Sequence, residues 1–212
     1  RGNPLSRVKE KDRMNMENSD KTGILEPLLR RLDKFSLWLV ARDELGLERV
    51  SESPLLKRFS RYLIAATYFG DGYLWGLAGL ALILFGGGRG HTYVLIGLAI
   101  SIVNIAVFRL VKTVMERPRP VTLRAKPMRH RIIDDFAFPS GHATIAFGVS
   151  FIIATAYPGL WWAWMFAYIS AIVISLSRIF VKEHYPSDVI GGAILGTLVA
   201  GILLPVFRSL LL

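Results

Sequence analysis

The chain has 212 residues, of which 52% are apolar, and a formal net charge of +10 at pH 7. Its 26 Lys and Arg residues form clusters separated by long apolar stretches, which excludes a soluble globular domain, a disordered chain and a disulfide-linked secreted module. It contains no cysteine, which excludes a thiol nucleophile and a cysteine-based metal site. Positive charge beside long apolar runs fits anionic headgroups better than nucleic acid, so we expect membrane lipids and no nucleic acid as partners.

The N-terminal segment carries too many charges to cross a bilayer. Residues 1–23 are polar, with charges of both signs and no apolar period, and we expect them to form a flexible tail. Residues 24–49 place apolar side chains such as Leu28 and Leu32 opposite a charged face. This pattern predicts an amphipathic helix lying at the membrane interface. Residues 24–212 are then expected to form a single membrane domain.

Five apolar runs follow the amphipathic segment, and about 20 apolar residues are needed to cross the hydrocarbon core. The first run is interrupted by Gly70, Asp71 and Gly72, and the third reaches the required length only with the residues that precede it. We therefore predict an all-α integral membrane bundle of about five transmembrane helices, with a sixth if the amphipathic segment also inserts. The runs are residues 62–85, 93–111, 143–157, 160–179 and 189–206.

Three polar motifs lie at the ends of these runs, and hairpin connections would bring all of them to one face of the membrane. Together they contribute three cations, two histidines and a helix N-terminus. Arg donates bidentate hydrogen bonds to phosphate oxygens, and the free N–H groups of a first helical turn also bind anions. The pattern therefore predicts an oxyanion site. The motifs are Lys112 with Arg119-Pro120, then Pro139-Ser140-Gly141-His142, then Ser177-Arg178 with His184 and Asp188.

The two histidines in these motifs are candidates for nucleophilic and acid–base chemistry. His184 precedes Asp188 by one helical turn, so the carboxylate can accept the proton of one ring nitrogen and leave the other as a nucleophile. His142 opens another helix, where it can protonate a leaving oxygen. Asp134 and Asp135 lack the acidic partners of a metal site, so we predict neither a metal ion nor a cofactor.

In order and spacing, the motifs resemble the signature of the type-2 phosphatidic acid phosphatase superfamily: K-x6-R-P, P-S-G-H and S-R-x5-H-x3-D. The resemblance implies a helical bundle that hydrolyses a phosphate ester or diphosphate without a metal ion, through a phosphohistidine intermediate. It implies that His184 is the nucleophile, that Asp188 orients it, and that His142 is the general acid. It also implies that the phosphoryl oxygens are held by Lys112, Arg119, Ser140, Gly141 and Arg178.

The apolar runs match the membrane branch of this superfamily, so we predict a multi-pass lipid phosphatase of the cell membrane. Its substrate could be phosphatidic acid, phosphatidylglycerol phosphate, a polyprenyl phosphate or diphosphate, or phosphorylated lipid A. One alternative is a phosphotransferase that uses the same residues but an acceptor other than water. Another is a non-catalytic lipid-binding or assembly subunit that kept the motifs by descent. A channel or transporter fits less well, because the charges cluster at helix ends.

Two arguments disagree about the side of the membrane on which the site lies. With five spans, the catalytic face carries 23 of the 26 basic residues, and the positive-inside rule places it in the cytoplasm. Membrane members of the superfamily commonly have six spans and an extracytoplasmic site. The five-span count favours a site on the cytoplasmic face. If segment 24–49 crosses the membrane as a sixth span, the site would instead lie on the extracytoplasmic face.

Other residues of the motif region are interpreted as structural. Gly191, Gly192 and Gly196 are expected to allow close helix packing. The remaining basic residues of the long loop after the second run are expected to be a solvated surface that faces lipid headgroups, rather than substrate ligands. They are Arg117, Arg124, Lys126, Arg129 and Arg131.

Overall fold

The computed structural model of the chain describes residues 38–70, 72–120 and 136–212. The predicted tail 1–23 lies outside the described residues, as do residues 24–37 of the predicted amphipathic helix. The described remainder of that segment is helical, as predicted.

The chain divides into two compact units, residues 1–42 and residues 43–212. Helix α1 has described helical residues 38–51. That residues 24–212 form one domain stays a prediction. The other helices, all in the second unit, are α2 (Pro54–Arg58), α3 (Ser60–Phe69), α4 (Tyr73–Phe85), α5 (Gly87–Met115), α6 (Gly141–Ala156), α7 (Trp161–Phe180) and α8 (Pro186–Leu211).

The all-α prediction is confirmed for the described residues, which contain no strand beyond one isolated bridge between Pro118 and Phe136. In this part of the chain α5, α7 and α8 are long and apolar enough to cross a membrane. Helices α3 and α4 together form a fourth candidate span, bent by 59°. Gly72, with φ of 111°, stands at this bend in a conformation that favours glycine. The chain is a membrane protein, as predicted.

Helix α6 corresponds to the third predicted run and has 16 residues, fewer than the other spanning candidates. The count of five spans therefore stays a prediction. Outward faces of the long helices carry large apolar side chains, such as Leu198 and Ile202 of α8, which are 57% and 68% exposed. Such faces are suited to contact with lipid.

The interior of the bundle is built around α6, which packs against α5, α7 and α8. A Cβ atom on Gly192 would lie 2.5 Å from the backbone oxygen of Ser140, and one on Gly196 would overlap the backbone oxygen of Thr144. The backbones of α6 and α8 therefore touch. The prediction that the glycines allow close helix packing is confirmed for Gly192 and Gly196, and the contact brings the start of α6 against the start of α8. A Cβ on Gly191 would instead lie 2.5 Å from the ring of Phe138, which precedes α6.

Candidate active site

Four helix ends meet where the three motifs lie. The backbone amide of Ser140 donates to the backbone oxygen of Asp188 at 2.9 Å, which joins the start of α6 to the first turn of α8. The Nζ of Lys112, at the end of α5, donates to the backbone oxygen of Phe136 at 2.8 Å. The backbone amide of His184 donates to the oxygen of Arg178 at 3.3 Å, which folds the α7–α8 connection back onto α7. The structure thus brings the three motifs to one end of the bundle.

His184 and Asp188 form the innermost pair of the site, and both are fully buried. The Nδ1 of His184 lies 3.7 Å from Oδ2 of Asp188, and this ring nitrogen makes no hydrogen bond within the described residues. Pro186 occupies the first turn of α8, where its missing N–H leaves no helical bond unmade. Oδ2 of Asp188 accepts a hydrogen bond from the backbone amide of Tyr185 at 2.8 Å. This capping bond fixes the carboxylate beside the imidazole.

The surroundings of His184 favour its neutral form. Burial lowers the pKa of the imidazole well below its usual value, and the positive charges of Arg119, Arg178 and Lys112 lower this pKa further. An imidazole that stays neutral keeps a lone pair available for attack. The same cations make the surroundings of His184 electrostatically favourable for an anion.

The cations differ in their local contacts. Lys112 and Arg178 are almost fully buried, with 2% and 3% of their surfaces exposed. The guanidinium of Arg178 forms an ion pair with the carboxylate of Glu183. In contrast, Nε of Arg119 is buried without a hydrogen-bond partner among the described residues, as is Oγ of Ser140. Buried donors without an acceptor are destabilising, and an oxyanion would satisfy them.

The start of α6 supplies the remaining predicted residues. Ser140 is its N-cap and Gly141 its first residue, so the amides of this turn have no partner within the helix. A Cβ on Gly141 would lie 3.1 Å from the ring of Phe108, so alanine here would require this ring to move by a few tenths of an ångström. His142 is partly buried in the same turn, and it is close enough that a positive charge on its ring would lower the pKa of His184. The structure therefore brings His142 into the neighbourhood of the predicted nucleophile.

Arg117 was expected to be part of a solvated loop surface, and this prediction is wrong. Its guanidinium is largely buried and forms ion pairs with Asp188 at 2.8 Å and with Asp43 at 2.5 Å. The backbone oxygen of Arg117 accepts from Ala137 at 2.8 Å, which pulls the segment inward. The other basic loop residues, Arg124, Lys126, Arg129 and Arg131, lie outside the described residues.

Sequence reasoning also missed Asp43 and Glu183. Asp43 is buried with Leu47 and Ser51 on one face of α1. The spacing of these residues, close to the helical period, was the available signal. Within the described residues, no group of three or more His, Asp and Glu side chains is placed to bind a metal ion.

Comparison with known proteins gives one family. The profile of the PAP2 superfamily matches residues 91–210, a segment that contains all three motifs. The undecaprenyl-diphosphatase of Sulfolobus acidocaldarius is 30% identical to this chain over 143 residues, which cover 64% of each protein. The undecaprenyl-diphosphatase BcrC of Bacillus subtilis is 29% identical over 123 residues, covering 57% of this chain and 61% of the relative. The chain thus spans less than two thirds of the length of these relatives.

A solved structure shares the fold. It is a transmembrane PAP2-type phosphatidylglycerolphosphate phosphatase from Bacillus subtilis, with a TM-score of 0.60 and 22% sequence identity. The similarity covers 81% of this chain and 87% of that one. The arrangement of the helices is therefore shared with a known membrane protein.

Proposed function

This chain belongs to the PAP2 superfamily, and we propose that it is a membrane phosphatase that hydrolyses a phosphate monoester or diphosphate on a lipid. The observation that carries the proposal is the fully buried imidazole of His184, whose pKa is lowered by burial and by Arg119, Arg178 and Lys112. A neutral nucleophile inside a cluster of cations is what attack on a phosphate dianion requires.

We propose that the reaction has two steps. The Nε2 of His184 attacks phosphorus, and the bond from phosphorus to the leaving oxygen breaks as His142 donates a proton to that oxygen. Asp188 faces Nδ1, and a shortening of their 3.7 Å separation would form the hydrogen bond that stabilises the charge on the phosphorylated ring. Water then attacks the phosphohistidine, His142 accepts its proton, and inorganic phosphate leaves.

The charge that develops on the phosphoryl oxygens is assigned to Lys112, Arg119 and Arg178, with the Ser140 hydroxyl and the amides at the start of α6. The partnerless Nε of Arg119 and Oγ of Ser140 support this assignment. Fixed donors aimed at transition-state charge are usually the largest contribution to catalysis of phosphoryl transfer. We propose that these cations replace the divalent ion used by other phosphatases.

We propose a polyprenyl diphosphate as the substrate to test first. The support is that both relatives described above are named undecaprenyl-diphosphatases. Phosphatidic acid, phosphatidylglycerol phosphate and phosphorylated lipid A form the comparison set, because all these lipids share the phosphoryl group on which the proposed catalytic residues act.

The test is phosphate release by the purified full chain in detergent from each of these lipids, with and without EDTA. We expect release in the presence of EDTA, inhibition by vanadate, and no release by His184→Ala. A strict requirement for a divalent ion would contradict the mechanism. Product analysis with added alcohol distinguishes the phosphotransferase alternative, because transfer would give a phosphorylated alcohol instead of free phosphate.

A further inference from the structure

The guanidinium of Arg117 connects three parts of the chain at the edge of the candidate site. Its Nη1 donates to Oδ1 of Asp188 at 2.8 Å and to Oγ of Ser187 at 2.6 Å. Its Nη2 donates to Oδ2 of Asp43 at 2.5 Å. The guanidinium also stacks over the ring of Tyr185, 4.5 Å from the ring centre. Both terminal nitrogens of Arg117 are therefore already engaged by protein acceptors.

The two oxygens of Asp188 have separate partners. Oδ1 accepts from Arg117, whereas Oδ2 accepts from the amide of Tyr185 and faces His184. The capping bond at Oδ2 and the ion pair at Oδ1 together restrict the rotation of the carboxyl group. This rotation decides whether Oδ2 points toward the imidazole, so the contact with Arg117 bears on the orientation of the His184 partner.

Asp43 holds Arg117 from the other side. It is buried, with 3% of its surface exposed. Its Oδ1 accepts from the backbone amide of Ser187 at 2.9 Å, and its Oδ2 accepts from the hydroxyl of Ser187 at 2.5 Å. Ser187 lies in the first turn of α8, where free amides favour a carboxylate. Asp43 thus attaches α1 to the start of α8 and fixes the far side of the Arg117 guanidinium.

We propose that Arg117 and Asp43 are positioning residues for Asp188, in the order Asp43, Arg117, Asp188, His184. The proposal deepens the proposed function and rests on it. The proposed role requires neither residue to touch the substrate, because Nη1 and Nη2 of Arg117 already donate to protein acceptors, and Asp43 contacts Arg117 and Ser187. Helix α1, which carries none of the three motifs, thereby becomes part of the catalytic apparatus.

The test compares steady-state kinetics of the purified full chain with those of Arg117→Gln, Arg117→Lys, Asp43→Asn and the double variant Asp43→Asn/Arg117→Gln. The substrate is the best lipid phosphate of the panel, and vanadate is the probe of phosphoryl binding. A matched control is Arg58→Gln, since Arg58 is an exposed residue of α2. Thermal unfolding and size-exclusion profiles are recorded for each variant.

We expect Arg117→Gln to lower kcat on the order of 10²-fold, the loss typical of a misplaced catalytic group, with KM and vanadate inhibition changed less than about twofold. Arg117→Lys should lower kcat less than Arg117→Gln does, because lysine keeps the positive charge but lacks the paired N–H donors of the guanidinium. Asp43→Asn should lower kcat by about tenfold, and should add little to Arg117→Gln, because coupled residues do not act additively. Arg58→Gln should match the wild type.

Three results would overturn the proposal: a rise in KM with unchanged kcat, which would make Arg117 a substrate ligand; additive losses in the double variant; or full activity of Arg117→Gln. If Arg117→Gln does not fold, the test uses the near-isosteric Asp43→Asn and the charge-preserving Arg117→Lys. For both variants the proposal again requires a lower kcat with a nearly unchanged KM. Failure of the proposed function gives a different result, namely phosphate release by His184→Ala at the wild-type rate.

Discussion

The guanidinium of Arg178 forms an ion pair with the carboxylate of Glu183, a residue that precedes His184 directly. Arg178 is a proposed phosphoryl ligand, so the substrate must either displace this carboxylate or share the arginine with it. The negative charge of the Glu183 carboxylate lies beside the proposed phosphoryl site and therefore opposes the binding of an anionic phosphoryl group there.

We therefore expect Glu183→Gln to lower the inhibition constant of vanadate and the KM of the lipid by about three- to tenfold, the size of a partly screened charge interaction. Competitive inhibition by vanadate measures the effect. The matched control is Glu52→Gln, since Glu52 pairs with Lys57 and Lys182 at an exposed position. Weaker vanadate binding by Glu183→Gln would show instead that Glu183 orients Arg178 for the substrate.

The two histidines proposed as catalytic should respond differently to the leaving group. His184→Ala should abolish turnover of every substrate, because no phosphohistidine can form. His142→Ala should slow monoesters by about 10²–10⁴-fold and diphosphates less, because a lipid phosphate leaves without needing a proton. Single-turnover rates on a monoester and a diphosphate of the same lipid measure this difference. His91→Ala, at an exposed position near the opposite end, is the control. Equal losses on both substrates would contradict the assigned roles.

The pH profile should show the lowered pKa of His184. Attack requires the neutral imidazole, and burial together with the nearby cations moves the pKa well below its usual value of about 6.5. We therefore expect kcat/KM to hold its plateau below pH 6.5 and to decline only as the pH falls through the lowered pKa. Arg119→Gln removes one of these cations and should move the decline to higher pH. The ionisation of the substrate phosphate is titrated separately. An acidic decline at or above pH 6.5 that Arg119→Gln does not move would contradict this explanation.

Close packing of α6 against α8 gives a prediction about stability. Gly196→Ala places a Cβ against the backbone of Thr144, and overpacking of this kind typically destabilises by about 1–3 kcal/mol. Gly97→Ala is the matched control, because its Cβ would meet no atom within 4 Å and alanine favours the helix. Thermal unfolding in detergent should show Tm lowered by roughly 2–12 °C for Gly196→Ala alone. Equal Tm values for Gly196→Ala and Gly97→Ala would mean that α6 and α8 can move apart without loss of stability.

The side of the membrane is open to a direct labelling test, because the chain contains no cysteine. Single cysteines at Ser6 and Thr122, probed with an impermeant thiol reagent on intact cells, report the two segments separately. The charge distribution favours the cytoplasm for both, so we expect labelling of neither until the cells are permeabilised. Labelling of position 122 but not position 6 would overturn both the five-span count and the cytoplasmic site.

The helices and the convergence of the motifs could be predicted because they depend on local pattern. Apolar runs 93–111 and 189–206 became the centres of α5 and α8, since length and apolarity alone decide such segments. The four-residue spacing predicted that His184 and Asp188 lie close together. In the structure His184 lies in the bend just before Tyr185, the N-cap of α8, and Asp188 lies in the first turn of that helix.

The positioning network could not be predicted in this way. Asp43 and Arg117 are separated by 74 positions in the chain, and no local period relates an aspartate in a helix to an arginine in an irregular segment. Arg117 looked like one of several loop cations, because its burial depends on the bridge between Pro118 and Phe136. Partner choice between distant charged groups is a tertiary property, set only once the helices have packed.

The shortness of α6 bears on how a substrate reaches the site. Sixteen helical residues extend about 24 Å, roughly 6 Å less than a hydrocarbon core of about 30 Å. The far end of α6 precedes Trp161 and Trp162, exposed aromatic residues of the kind that mark an interface. If that end is level with one headgroup layer, Ser140 and His142 lie several ångströms beneath the other. A phosphate carried on a lipid would then meet His184 by a short descent within its own leaflet, whereas a water-soluble ester would have to leave bulk solvent to reach the same depth.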